Sequence, residues 1–235
     1  MKIYFAGAPH STESQLRSYG VKNKLYSYVN ELPHIVKWGN KGLMLDSGAF
    51  SVFTKGAKVN IRELTDFIKH FKPEYAIQLD VIGDEEKTWN NYLYMRKEVD
   101  NILPVIHFKS SDKHIERVIS ESNYILLGGL VPLTRRKNVL ISWLDYLYSK
   151  YGLQHKKIHL LGITTKDILM RYPAYSVDST SWLGPSRYPV VGKNNMFINQ
   201  KKKDYRKLEQ ETIRQTLELQ DYITKLWESR GVKWD

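Results

Sequence analysis

The 235-residue chain contains no cysteine, which excludes disulfide staples and thiolate zinc sites at once. It has no uninterrupted apolar run near the roughly 18 residues a membrane span requires. The opening Met1-Lys2-Ile3-Tyr4-Phe5-Ala6-Gly7 is too short for the hydrophobic segment of a secretory signal. No Gly-, Ser- or Pro-rich linker and no low-complexity tract divides the sequence. Negative charge is in short supply: 25 Asp and Glu stand against 36 Lys and Arg, for a net charge of +11. A surface of that sign collects polyanions, because binding releases counterions condensed on a phosphate chain. Lys-rich proteins that bind no nucleic acid are also common, so charge alone leaves the matter open. These absences lead to the expectation of a soluble intracellular protein in a reducing cytoplasm, with no membrane contact.

What the sequence does contain is a recurring alternation of short apolar runs and polar stretches with helical spacing. The candidate strands are 2–5, 43–46, 75–80, 102–107, 124–127, 157–161 and 174–178, mostly bounded by Gly, Pro, Asp or Ser. Between them, Ile61, Leu64, Phe67, Ile68 and Phe71 form one apolar stripe. Ile115, Val118 and Ile119 form another, and Val139, Leu140, Trp143, Leu144 and Leu147 a third within residues 136–151. Strand–helix repeats of this kind demand right-handed crossovers and a parallel sheet. With an eighth strand at 188–191 or 196–199, the pattern predicts an α/β fold of the (β/α)8 TIM-barrel type. A doubly wound open sheet is the competing architecture, but no Gly-x-Gly-x-x-Gly follows the first strand. One catalytic domain is expected over 1–235, with the barrel in about 1–200. A basic helix in 201–235, opened by Lys201, Lys202 and Lys203 and running to about Trp227, is expected to pack outside it.

The chemistry gathers at the ends of the strands. The second ends in Asp46-Ser47-Gly48-Ala49-Phe50, the third in Gln78-Leu79-Asp80, the fourth in His107, the fifth in Gly128-Gly129-Leu130, the sixth in Leu161-Gly162 and the seventh in Val177-Asp178-Ser179. In a parallel barrel these ends share one mouth, where active sites lie. Three carboxylates in one cavity repel each other, so they are costly unless used or paired. Single features are weaker: Gly128-Gly129 can mark only a tight turn, and His107 can be a satisfied structural histidine. Asp84, before Glu85-Glu86, reads as a helix N-cap. His155 and His159 straddle a turn and a strand, which argues against a metal site. Trp182 reads as core or barrel rim, with a wedge against a neighbouring base as the alternative.

In this order the motifs Asp46-Ser47-Gly48-Ala49-Phe50, Leu79-Asp80, Gly128-Gly129-Leu130, Leu161-Gly162-Ile163 and Val177-Asp178 resemble those of the tRNA-guanine transglycosylase superfamily. The likeness is greatest to the short phage-type enzymes that place 7-deazaguanines in DNA. It spans roughly residues 43–199, and the Asp-Ser-Gly-x-aromatic motif is its most specific part. The resemblance implies Asp178 as nucleophile on C1′ of the target nucleotide and Asp46 as base-binding general acid and base. It implies Asp80 as the carboxylate that accepts N–H groups of guanine. Gly129 and Leu130 would contact the base through their backbone, Phe50 would stack on one face and Leu161 would cover the other. Ser47, His107, Gly128 and Gly162 complete the expected base pocket. The residue types suit that chemistry. A carboxylate accepts two adjacent N–H donors, and exchange with retention needs a carboxylate nucleophile and a proton-transferring partner.

The departures are informative. The family's zinc site is absent, so no metal or other cofactor is expected and the deazaguanine base is itself a substrate. His107 stands where the tRNA enzymes have glutamine, Thr134 where a glutamate follows the glycine turn, and Ala49 where a second glycine is usual. The short chain favours the DNA-acting branch. Arg135, Arg136, Lys137, Lys193 and Lys201–Lys203 are the candidate phosphate contacts, a solvated surface being the alternative for any one of them. Nucleic acid, DNA ahead of tRNA, and the free base are the expected partners, with accessory proteins in a bacterial or phage-infected cytoplasm. Three rivals stand beside this expectation: the same chemistry on tRNA, a barrel aldolase or isomerase acting on a phosphorylated small molecule, and a non-enzymatic nucleic-acid module. Such a module would have no use for three inward carboxylates.

Overall fold

The computed structural model describes residues 1–7, 13–30, 39–49, 54, 56, 58–183 and 205–234. Its centre is a sheet of nine strands, β1 (Lys2–Ala6), β2 (Lys24–Ser27), β3 (Leu43–Asp46), β4 (Tyr75–Ile77), β5 (Ile102–Leu103), β6 (Val105–His107), β7 (Tyr124–Gly128), β8 (Lys157–Leu160) and β9 (Ser176–Ser179). Every pair is parallel. The order is β5-β4-β3-β2-β1-β9-β8-β7-β6, so the two outermost strands are consecutive in sequence and separated by Pro104 alone. Proline lacks the N–H a ladder needs, but its carbonyl still accepts the Leu126 N–H at 3.0 Å. The sheet is thereby brought nearly to closure as a barrel.

Alternation along the strands sorts side chains into two layers. Tyr4, Leu25, Met44, Ile77, Leu103, Val105, Tyr124 and Leu126, with Tyr175 just before β9, belong to a buried cluster that fills the inside of the curved sheet. Their neighbours Ile3, Phe5, Leu45, Ala76, Ile106, Ile125 and Leu127 pack outward against Leu64, Ile68, Met95, Ile115, Leu140 and Leu144 of the helices. Truncating one of these outward leucines to alanine would cost about 2–5 kcal/mol.

The helices are α1 (Glu13–Ser18), α2 (Ile61–Phe71), α3 (Glu85–Glu98), α4 (Asp112–Glu121), α5 (Lys137–Tyr151), α6 (Lys166–Arg171) and α7 (Tyr205–Glu228). Their ends follow capping chemistry. Asn60 accepts the Arg62 N–H at the start of α2, Asp84 accepts that of Lys87 at the start of α3, and Gly152 closes α5 in the left-handed conformation. The helix α7 docks on the outer side of the sheet. The Met1 ammonium donates to Thr224 Oγ1 (3.1 Å), the Ile3 N–H to Gln220 Oε1 (2.8 Å), and the Trp227 indole to the Leu169 carbonyl (2.7 Å). None of the described helices is long and apolar enough to cross a membrane.

Several expectations need adjustment. A strand that the sequence pattern does not predict, Lys24–Ser27, sits between β1 and β3, whereas the eighth strand expected at 188–191 or 196–199 lies outside the described residues. The run 102–107 is two strands, and the ladder of the run 75–80 ends at Ile77. The helix α7 is not basic: Arg206, Lys207, Arg214 and Lys225 are offset by Glu209, Glu211, Glu218, Asp221 and Glu228. The positive character expected there belongs to Lys201–Lys203, which lie outside the described residues.

Candidate active site

Because all strands run parallel, their C-terminal ends form one rim. Asp46 ends β3, His107 ends β6, Gly128 ends β7, Leu161 and Gly162 follow β8, and Asp178 is the third residue of β9. Asp80 comes three residues after β4. The structure therefore brings the strand-end residues expected from the sequence to the same end of the sheet.

Asp178 is nearly buried, and its Oδ1 accepts two contacts: the Gly162 N–H at 2.8 Å and His159 Nε2 at 3.0 Å. Gly162 turns its N–H inward from a left-handed conformation (φ 73°), and a Cβ there would lie 2.3 Å from Val131 Cγ2. Only glycine fits both conditions. Behind Asp178, His159 Nδ1 is 2.6 Å from Ser176 Oγ, which is 2.6 Å from the Tyr124 hydroxyl. His159 and Ser176 are both completely buried, and burial pushes the Tyr124 phenol up from its ordinary value. The sequence signals only part of this: Ile158 and Leu160 face the helices, so period-two alternation puts His159 on the inner face, whereas its place beside Ser176 is set by strand register. The set has the residue types of a hydrolase triad, but substrate cannot reach a serine with no exposed surface.

Across the sheet, His107 Nε2 lies 2.6 Å from Asp80 Oδ2. The imidazole lies over Gly128, where a Cβ would meet His107 Nδ1 and Val105 Cγ1, each at 3.0 Å. The segment carrying Asp80 is tied to α3 by Asn91, which donates to the Leu79 carbonyl (2.8 Å), and by Met95, whose sulfur takes the Leu79 N–H (3.3 Å). A cavity of about 650 Å³ opens beside His107, walled by Val81, Gly83, Phe108, Ser110 and Gly129 among others. That volume is within the range of small-molecule sites.

Asp46 is half-buried, and the turn after it is held by Gly48 (φ 83°), where a Cβ would lie 2.3 Å from Val29 Cγ2. The Ser47 hydroxyl is buried with no hydrogen-bond partner among the described residues, and so are both amide atoms of Gln78. Gln78 belongs to the strand-end run Gln78-Leu79-Asp80, but the sequence pattern gives it no role. Leu161 packs at the edge of the inner cluster. Leu130, by contrast, has its side chain in the outer core, leaving its backbone as the part able to meet a ligand. Trp182 is core, donating its indole N–H to the Ala6 carbonyl at 3.0 Å.

Arg135, which ends the 3-10 turn after β7 on the rim side, and Arg136, the cap between that turn and α5, are both exposed. Lys137 is exposed too but pairs with Asp167 at 2.5 Å. Thr134 donates to the Val131 carbonyl, closing its own turn. Phe50 and Lys193 lie outside the described residues, as do Lys201, Lys202 and Lys203. Among the described residues no group of three His, Asp or Glu side chains is placed to hold a metal ion.

The chain matches no protein-family model, and no curated protein matches it significantly. The functional reading therefore rests on the residues themselves.

Proposed function

We propose that this chain is a base-exchange enzyme that replaces guanine in DNA with a 7-deazaguanine-type base through a covalent glycosyl-aspartate at Asp178. Its scaffold is a (β/α)8 barrel in which β5 and β6 are one strand interrupted at Pro104. The observation that carries the reading is the state of Asp178: a carboxylate at the rim with Oδ1 held by two donors and Oδ2 without a donor among the described residues. A nucleophile fixed through one oxygen is oriented for attack with the other.

In the first displacement an Asp178 oxygen bonds to C1′ of an extruded nucleotide and the C1′–N9 bond breaks. Guanine leaves with the proton supplied by the Asp46 carboxylic acid. In the second, the incoming base gives its ring N–H proton to the Asp46 carboxylate, its nitrogen bonds to C1′, and the Asp178–C1′ bond breaks. Two inversions retain the configuration. Asp80 accepts N–H groups of the base, with His107 holding one of its oxygens and Leu161 beside the pocket. Arg135 and Arg136 sit where a phosphate chain crossing the rim would pass, and accessory proteins would add further DNA contacts. No cofactor enters the scheme.

The test is incorporation of labelled guanine and labelled 7-deazaguanine bases into duplex DNA, single-stranded DNA and tRNA. Label entering DNA with the wild type and absent with Asp178→Asn supports the reading. Label entering tRNA alone moves the same chemistry to RNA, and no label in any substrate refutes base exchange.

A further inference from the structure

The Asp178 carboxylate does not stand alone, and what stands behind it has a direction. Nε2 of His159 faces a carboxylate oxygen at 3.0 Å, so Nε2 carries a proton and donates it. In the neutral ring Nδ1 is then an acceptor, and its hydrogen-bond partner among the described residues is the Ser176 hydroxyl at 2.6 Å, which donates. The Ser176 oxygen in turn has a lone pair for the Tyr124 hydroxyl, also at 2.6 Å. Each donor points the same way, from Tyr124 through Ser176 and His159 to Asp178, and every donor along the chain meets an acceptor. The reverse polarity would point the Nε2 lone pair at the carboxylate oxygen and leave two acceptors facing each other in a buried site.

We propose that His159 is a positioning residue for Asp178, fixed in its Nε2–H tautomer by Ser176 and Tyr124 so that Oδ1 is held and Oδ2 is the attacking oxygen. The inference rests on Asp178 being the nucleophile. His159 touches no substrate; it is fully buried beneath the carboxylate. With the Gly162 N–H as the second donor, His159 restricts rotation of the carboxylate about its Cβ–Cγ bond, since both contacts converge on a single oxygen. A chain of aligned hydrogen bonds in a dry interior strengthens each member. The benefit falls on the bond-making step, with the base pocket around Asp80 and His107 untouched.

Two measurements test this together. The first records ring ¹⁵N shifts of His159 in the wild type, assigned by the loss of its signals in His159→Gln. The neutral Nε2–H tautomer is expected, and an Nδ1–H tautomer, a doubly protonated ring or a rapidly exchanging mixture overturns the proposal. The second compares kcat and KM for base exchange in His159→Leu, His159→Gln and Ser176→Ala. His159→Leu is expected to lose kcat on the order of 100-fold with KM within about twofold of wild type, so that the loss is confined to the chemical step. His159→Gln, whose amide offers both a donor and an acceptor, is expected to recover much of that loss. Ser176→Ala removes one hydroxyl from the core and keeps the chain testable if His159→Leu does not fold; it is expected to lower kcat less than His159→Leu does. Equal kcat in wild type and both Leu and Ala variants overturns the proposal, and so does a loss carried by KM. Base exchange absent from the wild type would refute the functional reading instead, and the ring shifts would still decide for or against the oriented chain.

Discussion

His107 Nε2 stands 2.6 Å from Asp80 Oδ2, and the same ring lies against the backbone of Gly128, so the floor of the candidate base pocket is set jointly by β6, β7 and the segment after β4. Gly128→Ala would place a methyl 3.0 Å from both His107 Nδ1 and Val105 Cγ1. The imidazole and the Val105 side chain must then give by a few tenths of an ångström, which disturbs the contact with Asp80. The expected result is a loss of stability of about 1–3 kcal/mol from overpacking and a fall in base exchange larger than the stability change explains. Denaturant unfolding and exchange kinetics on the same sample check this; an active, stable Gly128→Ala would show that the Asp80–His107 contact is dispensable.

Gln78 is buried with neither amide atom hydrogen-bonded among the described residues. Replacing an unsatisfied polar group by an apolar one of similar shape is expected to stabilise. Gln78→Met should therefore raise stability by about 1 kcal/mol, read as a higher urea midpoint at unchanged slope. If the amide is retained for a ligand two residues from Asp80, exchange activity falls in the same variant. A lower urea midpoint would mean that Gln78 is satisfied in solution.

Arg135 and Arg136 are exposed cations on the rim. For a contact to phosphate, each removed charge lowers the slope of log K against log salt by about 1. The double variant Arg135→Ser with Arg136→Ser should bind DNA more weakly at low salt and with a slope shallower by about 2. An unchanged slope would assign both to ordinary surface.

His114 gives the fold a pH dependence. Burial holds its pKa below the ordinary 6.5, and its ring is neutral by geometry: Nδ1 accepts from Arg117 (2.8 Å) while Nε2 faces the Val105 carbonyl (3.3 Å). Below pH 6.5 the unfolded chain binds a proton that the native state refuses, so the stability present above that pH declines as the pH falls. Urea midpoints measured on the two sides of that value, near neutrality and in mild acid, should differ by more in the wild type than in His114→Gln. Equal differences would rule out His114 as a source of the acid sensitivity.

Much of the architecture is legible in residue order. Strands such as Leu43–Asp46 and Tyr124–Gly128 are apolar runs between polar boundaries, and α2 and α5 carry long apolar stripes. The strand Lys24–Ser27 is not, because only Leu25 and Tyr26 are apolar and the preceding helix, Glu13–Ser18, is too short to show a period. Its Lys24 is fully buried with the ammonium 4.7 Å from the Tyr26 ring, a placement that composition argues against. At the site, the strand-end Asp and Gly residues are visible as sequence features. The partnership of His159, Ser176 and Tyr124 is not, since it depends on the register of three strands far apart in the chain.

The interruption at Pro104 also affects how the molecule meets other copies of itself. An open parallel sheet ends in two rows of unpaired peptide groups, each a template for a foreign strand. Here one short segment ends both rows: Ile102 and Leu103 pair with β4, Val105–His107 pair with β7, and the Pro104 carbonyl is taken by Leu126. The same few consecutive residues guard both margins, so cutting or loosening the chain there would uncover two adhesive borders together and make this segment the weak point for aggregation.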